Sequence, residues 1–232
     1  MAKFDLAKTE ELAELFETPR DDRDDAWIAR FHATVPDATL MSFPSQVEDG
    51  PDGFPYFQMA MPDPGPVTPF CVTHVLDDVL DNGFGIVIFG DSSRSAPPEW
   101  VFTYGDLLSY SLYGRFDGES PEPAAPEGWP EAGRQILKAA PSESYLPARA
   151  RRALGSYMRK VIQHPDPKIT LWIDSQLNPA RNLMLNLTLE QYEGDEGRLD
   201  KAMSYMLWYL PRTYSLVAMP PECNDDGFVP LA

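Results

Sequence analysis

The stretch "NLMLNLTLE", residues 182–190, is where a reading of the fold starts. Leu183, Leu185, Leu187 and Leu189 alternate with Asn182, Asn186, Thr188 and Glu190, and only Met184 breaks the pattern. Successive side chains on a strand point to opposite faces. One face of this strand is therefore predicted to be apolar and the other polar, as in an antiparallel sheet covered on a single side. The flanks extend the reading. "LPARARRALGSYMRKVIQ" (146–163) puts Ala150, Leu154, Tyr157, Met158 and Val161 on one helical face, and "KITLWID" (168–174) reads as a strand. "EGRLDKAMSYMLWYL" (196–210) has the spacing of an amphipathic helix, and "TYSLVAM" (213–219) closes the run as a strand. Residues 146–219 thus read helix, strand, strand, helix, strand.

A similar order stands upstream. "THVLDDVLDNG" (73–83) reads as a helix ended by Asn82-Gly83, "FGIVIF" and "EWVFTY" as strands, and "GDLLSYSLYG" (105–114) as a helix. "YFQMAM" (56–61) precedes them as a strand. "TEELAELFETP" (9–19) and "DDRDDAWIARFHATV" (21–35) read as two short helices, capped by Thr9 and by Asp21 or Asp22. The predicted class is α+β: antiparallel sheets with helices packed on one face, in two similar modules of helix–strand–strand–helix order, preceded by two short N-terminal helices. Residues 117–133 hold four prolines, five acids and no base, a composition that buries little. The expected organisation is an acidic N-terminal arm plus module at 1–116, a linker or surface loop at 117–143 and a second module at 144–232. Within the linker, "RQILKAAP" (134–141) reads as a turn or two of helix.

The net charge of −17 is unevenly placed. Residues 1–143 carry 26 acids and 9 bases, and residues 144–232 carry 10 of each. Nonspecific nucleic-acid binding needs clustered cations, and anionic membranes favour the same sign, so neither partner is predicted. An acidic N-terminal surface suits a basic protein partner. No 18-residue apolar run is present. Two cysteines without paired spacing and an N-terminus without an apolar run predict a cytoplasmic chain with reduced thiols.

One stretch invites a catalytic reading. "GIVIFGDSSRS" (85–95) runs a strand into Gly90-Asp91-Ser92. The four residues "FGDS" resemble the nucleophile segment of GDS-type hydrolases, which would make Ser92 a nucleophile served by an Asp-x-x-His. His32, His74 and His164 are preceded at that spacing by Ala29, Cys71 and Val161, and Pro97-Pro98 forbids the helix that follows such a serine. Turn residues between two strands account for the triplet. The histidines and cysteines make no ligand set beyond Cys71 and His74, so neither metal nor cofactor is predicted. The residues singled out for a binding surface are Arg149, Arg152 and Arg159 on the basic helix face, Asn182 and Asn186 on the polar strand face, and Tyr110 and Tyr113 among the aromatics. The function predicted is a noncatalytic cytoplasmic interaction or regulatory protein that binds a partner through its acidic N-terminal surface. The alternative is a small-molecule binder or enzyme whose site is built of scattered residues between the two modules.

Overall fold

A computed structural model of the chain describes residues 5–63, 69–117, 136–174 and 181–231. The chain divides into two compact units, Met1–Leu107 and Leu108–Ala232. The first opens with α1 (Leu6–Phe16) and, after a 3-10 turn at Arg20–Asp22, α2 (Asp25–Thr34). Asp5 caps α1, accepting from the amides of Ala7 and Lys8, while the Thr9 hydroxyl donates to the Asp5 carbonyl. Asp24 caps α2. The acids expected at that cap, Asp21 and Asp22, belong to the 3-10 turn instead.

A five-stranded sheet follows, from β1 (Leu40–Asp49), β2 (Pro55–Ala60) and β3 (Pro69–Phe70), then α3 (Val72–Asn82), β4 (Gly85–Phe89) and β5 (Trp100–Phe102). Its order is β3-β1-β2-β4-β5. β1 carries Pro44, which cannot donate to a ladder. The pairing with β2 shifts register between Ser42 and Val47, where that loss is tolerated. Gly83 ends α3 at φ 78°, a left-handed position at which glycine has no Cβ penalty. The apolar stripe of α3, Val75, Leu76, Val79 and Leu80, is buried. Strand β4 supplies Ile86 and Ile88 to a core that also takes Leu12, Phe31, Leu40, Met59 and Phe102.

Helix α4 (Tyr104–Tyr113) leads into the second unit, which contains β6 (Ile136–Ala139), α5 (Ala148–Lys160), β7 (Lys168–Asp174), β8 (Arg181–Leu185), a 3-10 turn at Leu189–Tyr192, α6 (Glu196–Leu207), β9 (Leu216–Ala218) and β10 (Val229–Pro230). The sheet order is β10-β7-β8-β9, and β6 also pairs with β7. Leu146, Leu154, Met158, Ile169, Leu183, Leu185 and Met206 are buried in this unit.

Both sheets are mixed, which corrects the expectation of antiparallel sheets. β2 pairs antiparallel with β1 but parallel with β4, and β8 pairs antiparallel with β7 but parallel with β9. The physical reason is the connection: α3 carries the chain from β2 to β4, and α6 from β8 to β9, and such a helical crossover returns the chain parallel. In the first unit the short β3 stands between β2 and α3, whereas in the second no strand stands between β8 and α6; in each, the strand ahead of the crossover, β2 or β8, is paired on both sides. The helix expected around "RQILKAAP" is also corrected, since Ile136–Ala139 is a strand whose residues face Leu171–Asp174 of β7. Pairing with a distant strand overrides the local preference. Residues 118–135, most of the expected linker, lie outside the described residues.

Candidate interaction surface

The most acidic short segment, "DDRDD", brings its charges onto a shaped surface of the first unit. The apolar sides of α1 and α2 meet through Leu12, Leu15, Trp27 and Phe31, all buried. The Trp27 indole N–H donates to the Leu15 carbonyl at 2.9 Å, near the end of α1, where the Thr18 amide donates to the same oxygen at 3.1 Å. Its ring stacks on Phe31, with centroids 5.2 Å apart. Arg23 covers it: the guanidinium carbon lies 4.5 Å from the Trp27 ring centre. Arg23 also donates to the Thr18 carbonyl at 3.1 Å, the Glu99 carbonyl at 3.2 Å and the Glu99 carboxylate at 2.6 Å. With 8% of its side chain exposed, Arg23 is a fixed structural cation.

Beside this stack is a depression of about 400 Å3 whose lining includes Trp27, Glu14, Asp22, Asp24 and Arg30. Glu14, Asp22 and Asp24 are exposed. Asp24 accepts from the Trp27 amide at 2.8 Å and so holds the start of α2. Arg30 pairs with Glu11 at 3.2 Å. Glu14 and Asp22 have no ion pair among the described residues. A depression ringed by exposed carboxylates can take the charged head of a basic side chain.

The residues singled out from the sequence fall elsewhere, and the structure does not assemble them into one site. Arg149 donates to the Ser111 hydroxyl at 2.5 Å. Arg159, at the other end of α5, donates to the Leu231 carbonyl at 2.8 Å, and Arg152 is exposed near Glu143. Tyr110 stacks on Phe116 at 4.5 Å. The Tyr113 hydroxyl lies 2.5 Å from that of Tyr214, which donates to the Tyr145 carbonyl at 2.7 Å, and the Tyr145 and Tyr214 rings stack at 4.3 Å. Burial pushes the Tyr214 phenol far up and that of Tyr145 to about 12. Asn182 and Asn186 are 5% and 8% exposed, so the strand part of "NLMLNLTLE" has no wet face; Thr188 and the exposed Glu190 lie beyond β8 at the 3-10 turn. The Asn186 side chain accepts from the Lys168 amide at 2.7 Å and donates to the Asp166 carbonyl at 2.9 Å, replacing ladder bonds where β8 ends.

Ser92 lies in a turn. The Asp91 carboxylate accepts from the Ser93 amide at 2.8 Å and the Ser93 hydroxyl at 2.6 Å, which lowers its pKa below the usual range, the hydroxyl first. Among the described residues no hydrogen bond joins Ser92 to a histidine. Cys71 and Cys223 are both free thiols, and burial pushes that of Cys71 up. No helix of the described residues is long and apolar enough to cross a membrane. No protein-family model, no curated protein and no solved structure matches the chain.

Proposed function

We propose that the protein is a noncatalytic interaction protein of the cytoplasm whose acidic N-terminal surface holds a basic segment of a partner protein. The observation that carries this reading is the depression beside Trp27, ringed by the exposed carboxylates of Glu14, Asp22 and Asp24. A lysine or arginine laid there places its charge among the three acids and its alkyl stem along the exposed Ala26 at the rim. The excess of acid over base in residues 1–143 adds a long-range field of the same sense. That field speeds encounter with cations and repels nucleic acid.

The test is calorimetric titration with a ten-residue peptide of alternating Lys and Gly, at 20 mM and 150 mM salt. Binding is expected at low salt and should weaken as the Debye length shortens. The charge reversals E14K and D22K are expected to weaken it about tenfold each. Asp24 is left alone because it caps α2. Affinity that ignores both substitutions would overturn the reading. Absence of binding at either salt would turn attention to a small-molecule ligand, sought next by thermal shift.

A further inference from the structure

The loop between β4 and β5 contains a site that is already full. At its centre Arg94 takes φ 53°, a left-handed backbone that a non-glycine residue keeps only where its surroundings hold it. The side chain provides that hold. The guanidinium carbon lies 4.7 Å from the centre of the Phe43 ring. Nη1 donates to the Gln58 amide oxygen at 2.5 Å and to the Glu48 carboxylate at 3.0 Å. Phe43 and Glu48 stand on β1 and Gln58 on β2, two strands that pair with each other. Phe43 and Gln58 are each 6% exposed, and Phe89 braces the Phe43 ring edge-on at 5.9 Å. The hydrogen bond from Arg94, followed by that of Gln58, keeps the Glu48 carboxyl below its usual range. An aromatic face, an amide oxygen and a carboxylate around one planar cation make a complete receptor for a guanidinium. A compact ammonium cannot stack on the ring and reach both oxygens in the same way.

We propose that Phe43, Glu48 and Gln58 form a guanidinium-binding site that Arg94 fills in cis, and that loop 90–98 is a strap whose release opens the site to an arginine side chain of a partner. The identity of the competitor rests on the basic-partner reading above; the receptor itself does not. The strap has a fixed end. Arg20 donates to the carbonyls of Pro97 and Pro98 at 2.8 and 3.0 Å, and the Glu99 amide donates to the Ile88 carbonyl at 2.8 Å. The bonds joining Asp91, Ser93 and Ser95 are internal to the loop and travel with it. Opening is therefore confined to residues 90–96.

The experiment removes the resident arginine and offers its head group back. R94A is titrated with millimolar methylguanidinium, with methylammonium as the control, and followed by thermal unfolding and by the NMR signals of the Gln58 side-chain amide. The substitution is expected to lower the melting temperature, and methylguanidinium to restore it. Methylammonium should have no effect, and the wild type, whose site Arg94 fills in cis, should respond to methylguanidinium far more weakly than R94A. Adding E48Q to R94A should reduce the restoration at least fivefold. R94K, which keeps charge without the planar fork, undergoes the same titration if R94A does not fold. Equal responses of wild type and variant, equal action of the two cations, or no response in either variant would overturn the receptor. For the strap, N-acetyl-arginine amide should speed amide exchange at 91–96 of the wild type and leave the Glu99 amide unchanged. Unchanged exchange at concentrations that saturate R94A would overturn that half. These outcomes are independent of E14K and D22K, so failure here leaves the acidic surface standing, and failure there leaves the receptor standing.

Discussion

Glu99 shows how a single residue ties separate parts of the first unit together. Its carboxylate meets Arg23 at 2.6 Å and Arg20 at 3.7 Å, so the acid before β5 is bound to the turn between α1 and α2. Arg23→Ala removes a nearly buried cation, its contact with Trp27 and the donor to the Thr18 carbonyl, and it leaves Glu99 without its nearer partner. The expected cost is about 2–4 kcal/mol, measured by urea unfolding and larger than a surface ion pair would give. The tyrosines of the second unit set a different dependence. The phenol pKa values of Tyr145 and Tyr214 are raised above the unfolded value near 10, so the folded state favours the neutral forms. Their contribution is complete below pH 10 and is lost as pH rises, for Tyr145 between about 10 and 12. Unfolding free energy should then fall by about 1.4 kcal/mol per pH unit for each such group. Lys168, raised by Asp225 and then Asp166, adds to the fall with the same sign. Tyr145→Phe keeps the stacked ring and should flatten the slope by its own share, read from urea melts at pH 8 to 11.

Helix α5 was legible as an element because its apolar residues recur at helical spacing, and Ala150, Leu154 and Met158 are buried as that spacing requires. Its contact with Leu231 was not legible. A Cβ on Gly155 would stand 2.8 Å from the Leu231 carbonyl oxygen and 2.9 Å from the Leu231 Cβ, so this glycine lets Leu231 lie against the helix. Gly155→Ala gains about 1 kcal/mol of helix propensity. It also forces apart a contact held by Arg159 and by the Leu231 amide bond to the Pro167 carbonyl. Overpacking costs about 1–3 kcal/mol, so the net expectation is destabilisation of about 1–2 kcal/mol, with faster amide exchange at Leu231. Strand β8 teaches the converse. Its alternation predicted one wet face, yet Asn182 through Leu185 are all buried, as are Asn186 and Leu187 just beyond it. The strand has a neighbour on each side, antiparallel β7 and parallel β9. Both faces of this central strand are buried, and Asn186, just past its end, satisfies the Lys168 amide and the Asp166 carbonyl inside the fold.

At the scale of the whole molecule the charge of −17 is a cost as well as a lure. Like charges repel in the compact state, so added salt from 10 to 150 mM should raise the melting temperature, and the same salt should weaken capture of a basic peptide. Opposite responses of stability and binding to one variable are the expected signature of an acidic docking surface; a fall in melting temperature would count against self-repulsion. The amino-acid sequence by itself determined the α+β class, most helices and strands, the turn at Gly90-Asp91-Ser92 and the placement of acid ahead of base. These follow from periodicity, capping chemistry and composition, which act over a few residues or over the chain as a sum. Only the tertiary structure decided which strands run parallel, that Ile136–Ala139 joins a sheet, and that Arg23 lies over Trp27. It also decided that Arg94 meets Phe43, Glu48 and Gln58 across gaps of 36 to 51 residues. Such contacts depend on where crossovers return the chain, and no local pattern encodes the partner that a side chain finds at that distance.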